Sequence, residues 1–270
     1  MKKLLLVIGL FISLVFSLLP LFWIGVVSFS TDLRFLTGEK FQFTLKNYKD
    51  LFVVKDFHFL DYLINSIVVS SLSALLAIFC STLLAYALSR ISPVLAFPLL
   101  MLSLAVSLFP QISTVGFLYS FFSQLNLINT YTALVLPYTA WSLPLGIWLM
   151  YAYMTSIPHE IDKAALIDGA SRLQILIRII IPLSKPGIIT TYILLFLFCF
   201  NEFLFALIFT TDYRARTVPV GIALFEGLYG QIPWGHISAA SLISVLPVIL
   251  TVLMLQNHIV KGLTGGAVKG

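Results

Sequence analysis

The chain has 270 residues, 60% of them hydrophobic and only 10% charged, with a mean hydropathy of +1.03. Soluble domains carry roughly a quarter charged residues, so a soluble globule is excluded. The net charge of +5 calls for no nucleic-acid partner, because basic residues flanking membrane spans account for it.

Lys2 and Lys3, followed by the apolar run Leu4 to Ser28, have the layout of a signal sequence. No small-x-small site closes the run, so it reads as an uncleaved first span. Residues 30–63 carry five basic and five acidic residues with Phe, Leu and Tyr interleaved, and read as a folded external segment. Residues 1–63 are thus the first span plus that segment. Span two runs from Ile64 to Leu88 and closes at Ser89-Arg90. Span three, Val94 to Phe122, contains Pro98 and Pro110. A short uncharged turn, Gln124 to Thr130, leads to span four, Tyr131 to Met154, with Pro137 and Pro144 inside. Span five is Ile188 to Phe209, and span six, Ile237 to Val260, contains Pro247. Each block reaches the roughly 20 residues needed to cross a bilayer. Pro110, Pro137, Pro144 and Pro247 are expected to bend their spans, freeing carbonyls that a cavity or neighbour must satisfy. The fold class is therefore all-α, a polytopic membrane protein with six transmembrane helices and both ends on one side.

Between spans four and five, residues 157–187 hold four of the sixteen basic and three of the eleven acidic residues. Pro158 suits a helix start, Glu160 and Asp162 favour its positive end, and Gly169 suits its close. Ala164, Ala165 and Gly169 leave little side-chain bulk, so another surface can approach closely. Ser171 caps a second helix whose Leu173, Leu176, Ile177 and Ile180 form one apolar stripe, with Arg172, Gln174 and Arg178 off it and Pro182 ending it.

Inside the spans the ionisable residue of consequence is Glu202, beside Asn201, with no Lys or Arg to neutralise it. Such a carboxylate faces a water-filled path, pairs with a polar neighbour such as Asn65 or Gln111, or takes up a proton. Two readings stand: these residues line a path or gate, or they make a hydrogen-bonded contact that holds two spans together. Aromatic residues, 14% of the chain, read mainly as interfacial and packing residues. No G-x-x-x-x-G-K-[ST] run is present, so the chain holds no ATP, and the four histidines lack metal-ligand spacing. Cys80 and Cys199 lie in apolar blocks and imply no disulfide framework.

The 157–187 stretch resembles the signature loop of binding-protein-dependent ABC importer permeases. That loop reads Glu-Ala-Ala, three residues, Gly, nine residues, Ile-x-Leu-Pro. Ala164, Ala165, Gly169, Ile179 and Pro182 match it, while Lys163 replaces the Glu and Ile181 the Leu. Asp168-Gly169-Ala170-Ser171, Asn201-Glu202-Phe203 and the ending Gly262 to Gly270 are similar to the maltose-type sugar permeases.

The resemblance implies a permease core over residues 64–260 with a cytoplasmic coupling loop at 155–187. Glu160, Asp162, Lys163, Ala164, Ala165, Asp168, Gly169 and Arg172 would meet a cytoplasmic ATPase. It also implies a second homologous permease, two ATPase subunits that bind ATP and Mg, an extracytoplasmic solute-binding protein and a sugar substrate. Asn201, Glu202, Asn65 and Gln111 are the candidates for the path. In the tail, 261–270, Gly265, Gly266 and Lys269 would reach between the ATPases. Basic residues number nine on the side of the termini and seven on the other, too small a margin to orient the chain. The loop, which must face an ATPase, puts it and both termini in the cytoplasm of a cell (inner) membrane protein. One rival is an ion-coupled secondary transporter using Glu202, which predicts inverted halves that the sequence does not show. Another is a membrane assembly subunit with no path, which would not need the polar pair Asn201-Glu202.

Overall fold

The computed structural model describes residues 2–31, 33–38, 40–225 and 232–265, and no side chains at 2–5, 34, 35 and 255–265. Every regular element among the described residues is helical, apart from an isolated bridge between Ser30 and Phe43. This is the outcome that lipid imposes, since a helix satisfies its own backbone polar groups. Helices α1 (Lys2–Ser28), α3 (Phe59–Ser89), α6 (Tyr131–Met154) and α13 (Trp234–Gly265) are the long apolar ones. Four helices are long and apolar enough to cross a membrane, and the number rises to six if two bent pairs each count as a span.

The chain forms two compact units, residues 1–63 with 218–246, and residues 64–217 with 247–270. In the first, α2 (Lys46–Val53) and a 3₁₀ turn at Lys55–Phe57 order the segment after α1. Asn47 ties it down, its Nδ2 donating to the carbonyls of Ser28 at 2.9 Å and Ser30 at 2.8 Å. The ring of Phe29 stacks on Phe43, and Tyr48 meets both Phe29 and the Ser28 hydroxyl. Tyr62 lies against α12 (Val218–Ala223), where a Cβ on Gly221 would stand 2.5 Å from its ring Cε2. His236 Nε2 stands 3.1 Å from Asp50 Oδ2, with Phe57 stacked on the imidazole.

In the second unit α6 packs along α10 (Lys185–Phe200), and small residues set the approach. A Cβ on Gly146 would collide with Ser81 of α3 and stand 3.2 Å from Leu195, and one on Gly187 would stand 2.5 Å from the Tyr153 ring. The core behind this seam includes Ala77 and Ala85 of α3, Met150 and Met154 of α6, and Phe196 of α10.

Two spans expected as single pieces are broken. The third is α4 (Pro93–Ser107) and α5 (Gln111–Gln124), bent by 78°. Pro110 has no N–H to continue the ladder and biases Phe109 away from helical geometry. Pro137, Pro144 and Pro247, also expected to bend their spans, sit inside continuous helices. The fifth, expected as Ile188 to Phe209, is α10 followed after three residues by α11 (Leu204–Phe209). The tail residues Gly266 and Lys269 lie outside the described residues, and Gly265 is the last residue of α13.

Candidate functional site

The 155–187 loop folds into two helical pieces. Helix α7 (His159–Ile167) starts after Pro158, with Glu160 and Asp162 in its first turn. It closes on Gly169 at φ +83, with Gly169 N donating to Leu166 O at 3.1 Å and Ala170 N to Ala165 O at 3.0 Å. That pair of bonds is the Schellman arrangement, which needs a left-handed residue and so favours glycine. Ser171 and Gln174 then form a capping box, Gln174 N donating to Ser171 Oγ and Ser171 N to Gln174 Oε1.

The second piece departs from the expected stripe. It runs as α8 (Arg172–Ile175), a π segment (Leu176–Ile180) and α9 (Ile181–Leu183) before α10 turns away by 76°. Leu176 and Ile180 are buried as expected, but Leu173 and Ile177 are exposed and Ile175 is buried instead. The π turn bonds i to i+5, so Ile175 and Ile180, five apart, share the inner face. The helical run continues one residue past Pro182, to Leu183, and the chain turns at Ser184.

The eight residues expected to face a partner divide by burial. Glu160, Lys163, Ala164, Asp168, Gly169 and Arg172 are exposed, whereas Asp162 is 7% and Ala165 6% exposed. Asp162 is committed internally: Tyr86 Oη donates to its Oδ1 at 2.7 Å, and Arg90 Nη2 stands 2.8 Å from Oδ2. Its carboxylate is thus turned inward, away from the exposed residues of α7. That Arg90 contact is ionic rather than an aligned hydrogen bond, since neither Nη2 nor Oδ2 completes one. Beside the charged residues the outer face is apolar, with Ile167 86%, Leu173 62% and Leu166 41% exposed. The sequence marked the polar residues of this loop and passed over Ile167 and Ile175.

The path candidates also separate. Gln111, Asn201 and Glu202 line one cavity of about 670 Å³ whose walls are Leu145, Leu149, Leu194, Leu197, Phe198, Phe203 and Leu204. Asn201 closes α10, its Nδ2 donating to Leu197 O at 2.8 Å. Glu202 is 8% exposed and turns its carboxylate onto the start of α11, Oε1 accepting from Phe205 N at 3.0 Å and Oε2 from Ala206 N at 3.3 Å. A charge there satisfies orphan N–H groups, as a cap does. The buried Tyr138 hydroxyl interacts with Glu202 and Thr217 without completing an aligned hydrogen bond. Asn65 does not pair with Glu202. Its Nδ2 donates to the carbonyls of Tyr213 and Arg216, and its Oδ1 accepts from Tyr131 Oη at 2.6 Å.

That same 211–217 segment holds a polar knot of its own. Asn129, at φ +62, donates to Asp212 and accepts from the N–H groups of Thr211 and Asp212. Arg214 grips Asp212 at 2.7 Å, and with Asn129 holds its carboxyl well below the usual carboxylate range. Among the described residues no group of three or more His, Cys, Asp or Glu is placed to hold a metal ion.

This geometry has close relatives. The chain is 48% identical over 274 residues, 100% of its own length and 98% of the relative's, to a trehalose/maltose transport system permease protein of Thermococcus litoralis. It is 38% identical over 263 residues, 96% and 91% of the two chains, to a sulfoquinovosyl glycerol transport system permease protein of Agrobacterium fabrum. Its fold matches, at a TM-score of 0.76 and 21% identity over 96% of both chains, a chain in the crystal structure of a bacterial ABC transporter involved in import of the acidic polysaccharide alginate. Residues 1–265 match the family described as binding-protein-dependent transport system inner membrane component, and the chain belongs to that family of ABC importer permeases.

Proposed function

We propose that this chain is the permease subunit of an ATP-driven importer of a mono- or oligosaccharide, with trehalose and maltose the first sugars to try. The observation that carries the reading is its full-length similarity to a trehalose/maltose permease, joined to a loop whose inner face is pinned and whose outer face exposes Leu166, Ile167 and Leu173 among charged residues. An exposed apolar patch on a short helix is a partner surface rather than a solvated loop.

In this reading the partners are a second homologous permease, two cytoplasmic ATPase subunits and an extracytoplasmic solute-binding protein. The ATPases hold ATP and Mg. The chain sits in the cytoplasmic (inner) membrane with both termini and the 155–187 loop in the cytoplasm. Residues 1–63 supply the first span and an external segment, and residues 64–260 the permease core. Lys163, Ala164, Leu166 and Ile167 on α7, with Gly169 and Arg172 beyond it, enter a groove on the ATPase. Closure of the ATPases on ATP displaces α7, and the displacement switches the access of the path. Gln111 and Asn201 offer amide donors and acceptors to sugar hydroxyls in an otherwise apolar cleft. Glu202 acts on the path through the turn it caps. Gly265, Gly266 and Lys269 are assigned to the ATPases by resemblance. An ion-coupled carrier using Glu202 is the weaker reading, because the family is that of ABC importer permeases.

A photo-crosslinking residue at Ile167 tests the docking. In the assembled complex it should join this chain to an ATPase subunit, and one at Tyr213 should not. An assembled, ATP-hydrolysing complex without the Ile167 product contradicts the reading.

A further inference from the structure

Helix α7 has two faces, and the inner one is held by charge. Asp162 and Ala165, three residues apart, are buried, while Lys163, Ala164, Leu166 and Ile167 are exposed. A buried carboxylate needs partners, and both of its partners come from the end of α3. Tyr86, in the last turn of α3, and Arg90, the residue that follows that helix, reach Asp162 at 2.7 and 2.8 Å. The Arg90 guanidinium lies over the Tyr86 ring at 5.4 Å. Its Nη1 also reaches the carbonyls of Met154, the last residue of α6, at 3.4 Å and of Ile157 at 3.5 Å. Its Nε and Nη2 complete no aligned bond. One side chain thus joins α7 to the ends of two spanning helices, and Asp162 is its ionic partner.

A buried carboxylate and guanidinium resist separation, because either charge left alone keeps its desolvation cost without its partner. The exposed face of α7 and the pinned face lie on the same nine-residue helix. A push on Ile167 therefore carries Arg90 with it instead of sliding α7 past α3.

We infer that Asp162 and Arg90 are positioning residues for energy coupling, the link by which displacement of α7 reaches α3 and α6. The inference rests on the proposed docking of α7 to an ATPase. It assigns Asp162 an inward role in place of a docking contact.

The test uses the full complex in liposomes with its solute-binding protein, measuring radiolabelled trehalose or maltose imported per ATP hydrolysed. Asp162→Asn keeps the shape and an acceptor for Tyr86 but removes the charge. The complex should assemble and hydrolyse ATP, with sugar imported per ATP reduced by about fivefold or more. Tyr86→Phe, which deletes a single hydroxyl, should lower the same ratio by less. A purely structural role would reduce the amount of complex and leave the ratio alone, so an unchanged ratio in assembled variants overturns the inference. Should Asp162→Asn fail to assemble, the ratio in Tyr86→Phe decides by the same rule. Failure of the unaltered complex to import sugar with ATP instead removes the transport reading, and the inference with it.

Discussion

The Nδ2 of Asn129 donates to Oδ1 of Asp212 at 2.7 Å, across 83 residues of chain. The contact is one of three that the Asn129 side chain makes, from a left-handed backbone that asparagine tolerates better than most residues. Asn129→Ala removes all three and adds strain, so it should lower the melting temperature of the purified chain. Asn129→Asp should cost more, since it sets a second carboxylate against Asp212.

The same knot sets a pH dependence. Arg214 first, then Asn129, lowers the Asp212 carboxyl below its ordinary value of about 3.9. A lowered folded value makes the contribution complete above about pH 3.9 and lost as pH falls below it toward the folded value. Melting temperature should be insensitive to Asp212→Asn between pH 5 and 8 in its slope, and the acid decline below pH 4 should be shallower in the variant. An equally steep decline in Asp212→Asn would show that this carboxylate is not the titrating group.

At Gly169 two explanations predict different series. Within this chain a Cβ there meets nothing within 4 Å, so any groove around it belongs to a partner, while the φ of +83 penalises every L residue. Gly169→Asn and Gly169→Ala should retain coupling in that order, with about 1 kcal/mol of strain for alanine. Gly169→Trp should abolish coupling of ATP hydrolysis to transport through bulk. Equal coupling in the alanine and tryptophan variants would leave only the backbone requirement.

Much of this was legible in advance, and the failures have physical causes. Span four was read as Tyr131 to Met154, and α6 has those ends, because Thr130 caps it and an uninterrupted apolar block follows. The Gly169 stop and the Ser171 cap were equally local. What failed was long-range or depended on geometry within a helix. Arg90 reads in sequence as a basic residue at the end of a span, and only packing shows it paired with Asp162, 72 positions on. The π turn at Leu176–Ile180 shifts the apolar face to Ile175, which a 3.6-residue period cannot reveal. Glu202 stood out as a lone acid, but its use as a cap depends on the chain breaking at Asn201.

Glu202→Gln keeps the length but offers one acceptor oxygen where the carboxylate offers two, and places an NH₂ against a helix start. It should weaken the α11 cap by about 0.5–2 kcal/mol. Lower transport in a complex that assembles at wild-type yield would put the turn in the transport cycle. Loss of assembly in step with transport would leave it a helix contact.

The central claim is that this chain transports sugar only as part of an ATP-driven complex. The direct measurement is uptake of radiolabelled trehalose or maltose into liposomes containing the chain, its partner permease and the ATPases, with solute-binding protein outside and ATP inside. Accumulation should need every component and stop when ATP is replaced by a non-hydrolysable analogue. Accumulation by this chain alone, driven by a proton or sodium gradient without ATP, would contradict the account.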